Sequence, residues 1–101
     1  MKYLLVVPPE VEKSVVHLPP LLKRKIRHAL QEIQSDPTTG KPLKDQLEGF
    51  YSYRVARYRI IYRVARKKIQ VQVIDIGPQR YYLPTHSLDR KINDLNPPFL
   101  L

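Results

Sequence analysis

The 101-residue sequence predicts an α+β domain: a small antiparallel sheet with two N-terminal helices packed on one face and a short C-terminal helix. Three observations lead there. Leu22, Ile26, Ala29, Leu30 and Ile33 recur at helical spacing. Between Phe50 and Ile76, by contrast, apolar residues alternate with arginines at the two-residue period of a strand. Prolines and glycines fall between these segments and punctuate them. Helices first and strands later place the helices together on one side of the sheet.

Taken in order, Lys2 to Val7 is a short branched apolar run that ends at Pro8 and Pro9, and reads as a strand. Pro9 to Leu18 reads as a first helix, because proline is tolerated in a first turn and Glu10 and Glu12 suit its positive end. Leu21 to Ser35 carries the apolar stripe of the second helix, and Lys23, Arg24, Lys25, Arg27 and His28 crowd its opening half. Asp36 to Pro42 reads as a loop. Three strands follow, over residues 50–56, 57–65 and 69–76, and residues 84–95 complete the domain as a short helix. Residues 1–95 are expected to form one domain, and 96–101 a tail.

Composition narrows the function classes. The net charge of +9 and a pI near 10.0 point to a polyanionic partner, and the hydrophobic content of 43% to a folded core and not a basic tail. The lack of cysteine excludes disulfides, thiolate catalysis and cysteine-based zinc sites. The first apolar run is too short for a secretory signal or a membrane span, so a cytoplasmic location is expected. His17, His28 and His86 are scattered over different elements, and three glycines leave no glycine-rich phosphate loop. No metal and no cofactor are expected.

The stretch Tyr53 to Lys68, YRVARYRIIYRVARKK, holds seven positive charges and no acid. Alternation puts Tyr51, Tyr53, Tyr58, Ile60 and Tyr62 on one face and Ser52, Arg54, Arg57, Arg59 and Arg63 on the other. A turn between Ala56 and Arg57 sets Arg54 opposite Arg59, and like charges so placed are destabilising unless an anion joins them. The third strand adds Gln70, Gln72, Ile74 and Ile76 to the basic face, whose isoleucines predict a cover, here assigned to the C-terminal end of the chain.

Together, KPLKDQLEGFYSYRVARYRIIYRV (Lys41 to Val64), VIDIG (Val73 to Gly77) and the following arginine and tyrosines resemble the RelE/ParE toxin superfamily, on its RelE-like side. The resemblance implies a toxin of a type II toxin–antitoxin system, neutralised by a cognate antitoxin protein. It implies a ribosome-dependent endoribonuclease that cuts messenger RNA without metal, by attack of the ribose 2′-hydroxyl on the adjacent phosphate. Such chemistry needs cations for the charge on the phosphorane and donors for the leaving oxygen. Bidentate arginine suits the first task.

Carried over residue by residue, the family's two strand lysines fall on Ser52 and Arg54, and its transition-state arginine on Arg59. Its later arginine falls on Arg80, and the tyrosine after it on Tyr82 or Tyr81. Lys44, Ser52, Arg57, Arg63 and Tyr81 would line the RNA path, and the net charge would dock the protein on ribosomal RNA. Ser52 is uncharged and Gln79 stands where an arginine is common, departures that touch proton abstraction more than phosphate binding. Two other readings share the residues: a ParE-like inhibitor of DNA gyrase with no nuclease chemistry, and an inactive nucleic-acid-binding remnant.

Overall fold

The computed structural model describes residues 2–78. Strand β1 (Leu4–Val6) leads into helices α1 (Pro9–Val16) and α2 (Pro20–Ser35); then come β2 (Lys41–Pro42), β3 (Phe50–Val55), β4 (Tyr58–Ala65) and β5 (Gln70–Pro78). Both helices open with proline at the first turn, where its missing N–H is no loss. The expected short C-terminal helix and the tail lie outside the described residues.

The strands form one sheet in the order β1-β5-β4-β3-β2. It is antiparallel from β2 to β5, while β1 runs parallel to β5 at the far edge, with Leu5 beside Val71. The β3–β4 hairpin has the expected register: Tyr51 faces Tyr62, Tyr53 faces Ile60 and Arg54 faces Arg59. Its tight turn, Ala56-Arg57, places Ala56 at φ 52.

Both helices cover one face of the sheet. Val11, Ile26, Ala29 and Ile33 pack against Val55, Ile60, Tyr62, Val71, Val73 and Ile76 to form the main core. Tyr62 is wholly buried, its ring stacked on Tyr51 with centroids 5.3 Å apart. Its hydroxyl donates to the Pro37 carbonyl at 2.6 Å and accepts from the Gly40 N–H at 3.0 Å, which pins the loop after α2. Burial pushes the phenol up to about 12. Gly40 is required there, since a β-carbon would stand 2.5 Å from the Tyr62 hydroxyl.

Two sequence expectations are corrected. Lys41–Pro42, read as loop, is the edge strand β2; proline is compatible with an outermost strand, whose free side need not donate. On β5 the register shifts at Ile61/Tyr62, so that Ile61 faces Asp75 and Tyr62 faces Val73, leaving Ile74 as an extra residue. Past this bulge the alternation reverses: Ile76 joins the helix-side core and Asp75 turns to the basic face. The cover expected from the C-terminal end of the chain falls on residues outside those described; among the described residues, the segment leading into β3 covers part of that face. Leu43, Leu47 and Phe50 close over Ile61 and Ile74 in a second, smaller core.

Candidate functional site

The face opposite the helices is best read as rows across the sheet. One row runs Arg54, Arg59, Gly77; the next Ser52, Ile61, Asp75; the third Phe50, Arg63, Gln72. Arginines therefore occupy both end rows, and an apolar patch with Ser52 separates them.

Arg59 is the focus of the first row. It is only 6% exposed, although it opposes the exposed Arg54. Its Nη2 donates to Asp75 Oδ2 at 3.2 Å. Nε and Nη1 are buried with no hydrogen-bond partner. Leaving such donors unpaired costs about 1–3 kcal/mol, and more for charged groups. Asp75 thus fixes the guanidinium while two of its nitrogens stay unused. Gly77, facing Arg59 across the ladder, adds no side chain over it; a β-carbon there would lie 3.5 Å from Nη1.

The other expected residues take distinct places. Arg57 is exposed in the hairpin turn, and Lys44 is exposed where the covering segment enters its 3-10 turn, Asp45–Leu47. Ser52 is half-buried opposite Ile61, and Arg63 half-buried between Phe50 and Gln72. Arg80, Tyr81 and Tyr82 lie outside the described residues, as do Gln79 and His86. The tyrosines Tyr51, Tyr53 and Tyr62 are core residues on the helix side, as alternation predicts. Tyr53 donates its hydroxyl to Glu32, which raises the phenol's pKa.

Sequence reasoning missed Asp75, the single acid in β3, β4 and β5. Strict alternation would have set its carboxylate among Val71 and Val73 in the core, an expensive place for a charge. That conflict was the available signal of a bulge. Among the described residues no group of three or more His, Asp or Glu could hold a metal ion, and no helix is long and apolar enough to cross a membrane.

A family model described as the ParE toxin of type II toxin–antitoxin system, parDE, matches residues 9–81. The chain belongs to this toxin family, within the RelE/ParE superfamily. Solved toxins share its fold. A mutant of Escherichia coli toxin RelE in the free state superposes with a TM-score of 0.72 at 19% identity, covering 93% of this chain and 97% of that one. The toxin–antitoxin complex RelBE2 from Mycobacterium tuberculosis gives 0.69 at 23%, covering 78% and 100%. The YoeB/ParE toxin from Agrobacterium tumefaciens gives 0.67 at 22%, covering 76% and 99%. No curated protein matches. The protein is therefore a toxin of a type II toxin–antitoxin system, with the α+β fold expected of one.

Within the toxin, the arginine-bearing face and the helix-covered face divide the molecule. Among the described residues, the buried side-chain atoms without partners lie on the first: two nitrogens of Arg59 and the amide oxygen of Gln72.

Proposed function

We propose that the toxin is a metal-independent endoribonuclease that cuts messenger RNA on the ribosome, with the scissile phosphate held by Arg59 and Arg54. One observation carries the reading: Arg59 is buried, clamped by Asp75 through Nη2, and keeps Nε and Nη1 unpaired. Nε and Nη1 point along different edges of the guanidinium, so each can donate singly to a phosphate oxygen, and removal from water strengthens such charge-assisted contacts. In the reaction the ribose 2′-oxygen attacks phosphorus, its proton leaves to a base, and the 5′-oxygen departs with a proton as a cyclic phosphate forms. The charge that builds on the phosphorane falls to Arg59, with Arg54 across the hairpin as the second cation. Arg80 and Tyr82 join the site by the family resemblance, Arg80 on phosphate and Tyr82 orienting the substrate or stacking on a base.

Lys44, Arg57 and Arg63 extend the positive face along the RNA, where charge sets affinity and makes it salt-dependent. An acidic antitoxin segment would be drawn to the same charge. Relatives are solved as such complexes: RelBE2 of M. tuberculosis, RelBE of E. coli, and YoeB-YefM of Staphylococcus aureus.

The second reading, gyrase inhibition without cleavage, is favoured by the ParE description of the matching family and by the uncharged Ser52. One experiment separates them. Messenger RNA, free or on ribosomes, is incubated in EDTA with wild-type protein or Arg59→Ala, beside a gyrase–DNA cleavage assay. Ribosome-dependent cuts that fall at least 100-fold in the variant are expected. Whole RNA together with trapped gyrase–DNA would replace the nuclease by the inhibitor.

A further inference from the structure

The third row of the basic face leads to a feature that the phosphate site does not use. Beyond β4 the chain turns through Arg66–Lys68, a 3-10 turn of three consecutive cations, before β5. This turn and Arg63, Ala65 and Gln72 line a pocket of about 210 Å³. Arg66, Lys67 and Lys68 are exposed, whereas Gln72 is 4% exposed at its wall. Gln72 Nε2 donates to Gln70 Oε1 at 3.2 Å, and its own Oε1 is buried with no partner. The turn closes through Ile69 in the left-handed region, φ 52 and ψ 49, a conformation that costs a branched residue about 1–2 kcal/mol. Strain of this kind persists where the surroundings over-determine it.

The chemistry of the pocket is mixed in a specific way. Its cations call for an anionic group, while the idle amide oxygen calls for a hydrogen-bond donor. A free phosphate meets the first, and the second only through a protonated oxygen. A nucleotide satisfies both, through its phosphate and through either its 2′-hydroxyl or a base amino group. Arg63 and Arg59 lie four residues apart on one strand, roughly 13 Å. A strand of RNA, and not a mononucleotide, would be needed to engage both ends.

We infer that the pocket formed by Arg63, the Arg66–Lys68 turn and Gln72 is a second nucleotide subsite, which grips single-stranded RNA some 13 Å along β4 from Arg59 and so fixes the register of the strand on the toxin. The inference deepens the nuclease reading and rests on it for the identity of the strand. The subsite contributes salt-dependent affinity through the turn, and discrimination through Gln72.

Binding of labelled hexanucleotides by fluorescence anisotropy over a salt series tests it, with thermal melting as a folding control. Wild type, the triple variant Arg66→Ala/Lys67→Ala/Lys68→Ala, Gln72→Leu and Arg59→Ala are each titrated with oligocytidylate, its deoxy form and oligouridylate. The triple variant should bind at least tenfold more weakly, with its log–log salt slope shallower by about 2. Gln72→Leu should keep the slope but lose either the preference for ribose over deoxyribose or that for cytosine over uracil, which identifies the donor as hydroxyl or amine. An unchanged slope in the triple variant, or unchanged preferences in Gln72→Leu, overturns the subsite. Arg59→Ala keeps the outcomes apart: if it binds and leaves cleavage intact, the nuclease site is wrong, while a loss confined to the turn variant still upholds the subsite.

Discussion

The two faces of the sheet handle buried polar groups in opposite ways. On the helix side the Tyr62 hydroxyl both donates and accepts, with its partners Pro37 and Gly40 in place. On the other side Arg59 and Gln72 are nearly as deeply buried and retain unused donors and an unused acceptor. Residues of one strand, β4, supply both Tyr62 and Arg59. The difference marks a division of labour: one face is satisfied by itself, and the other, among the described residues, keeps buried polar groups unpaired.

The strongest way to break this comparison is to truncate each side in turn. Tyr62→Ala is expected to cost about 3–5 kcal/mol of stability, measured by urea unfolding. The double variant Arg59→Met/Asp75→Leu replaces a desolvated ion pair by apolar groups, and such exchanges are neutral or stabilising by up to about 4 kcal/mol. It should therefore stay as stable as wild type while RNA cleavage is lost. Equal destabilisation by the two variants would show that Arg59 serves the fold.

A smaller effect comes from Gly40→Ala, whose new β-carbon would collide with the Tyr62 hydroxyl. A loss of about 1–3 kcal/mol is expected, with cleavage per folded molecule unchanged. Tyr62→Phe should cost about as much by leaving the Gly40 N–H and the Pro37 carbonyl unpaired. It also sharpens the pH dependence. The folded phenol titrates at about 12 against its ordinary 10.0, so the unfolded chain loses the proton first as pH rises. Stability supplied by the neutral phenol is whole below pH 10 and declines toward 12, and Tyr62→Phe should lack that component of the alkaline decline in unfolding experiments.

The smallest expected change is a gain. Ile69→Gly relieves the left-handed strain at an exposed site and should stabilise by about 0.5–1 kcal/mol after the entropy of glycine is counted. RNA affinity should fall in the same variant if the strained turn holds Arg66–Lys68 in place.

Much of this division was legible beforehand, because strict alternation from Tyr51 to Val64 fixes which residues share a face and the hairpin register follows from its turn. The rest was not. A bulge is one extra residue whose one trace in the sequence is an acid at a core position, so the sides of Ile76 and Asp75 were read the wrong way round, and with them the ion pair that orients Arg59. Lys41–Pro42 escaped because two residues show no period, and its pairing depends on distant Tyr51 and Ser52. Partial cover of the basic face was expected from Ile74 and Ile76, but the part of it that the Leu43–Phe50 segment lays over Ile61 and Ile74 depends on tertiary packing that no spacing encodes.

The parallel pairing of β1 with β5 has a consequence for the toxin's birth. Leu5 leaves the ribosome early and must wait for Val71 before its edge of the sheet exists. Contacts this distant in sequence form late and slowly. The strand that carries Asp75 and Gln72 is also the strand that β1 awaits, whereas its pairing with β4 is local and needs no β1. β5 comes last in the order of these strands, so the edge formed with β1 is the last that synthesis can complete.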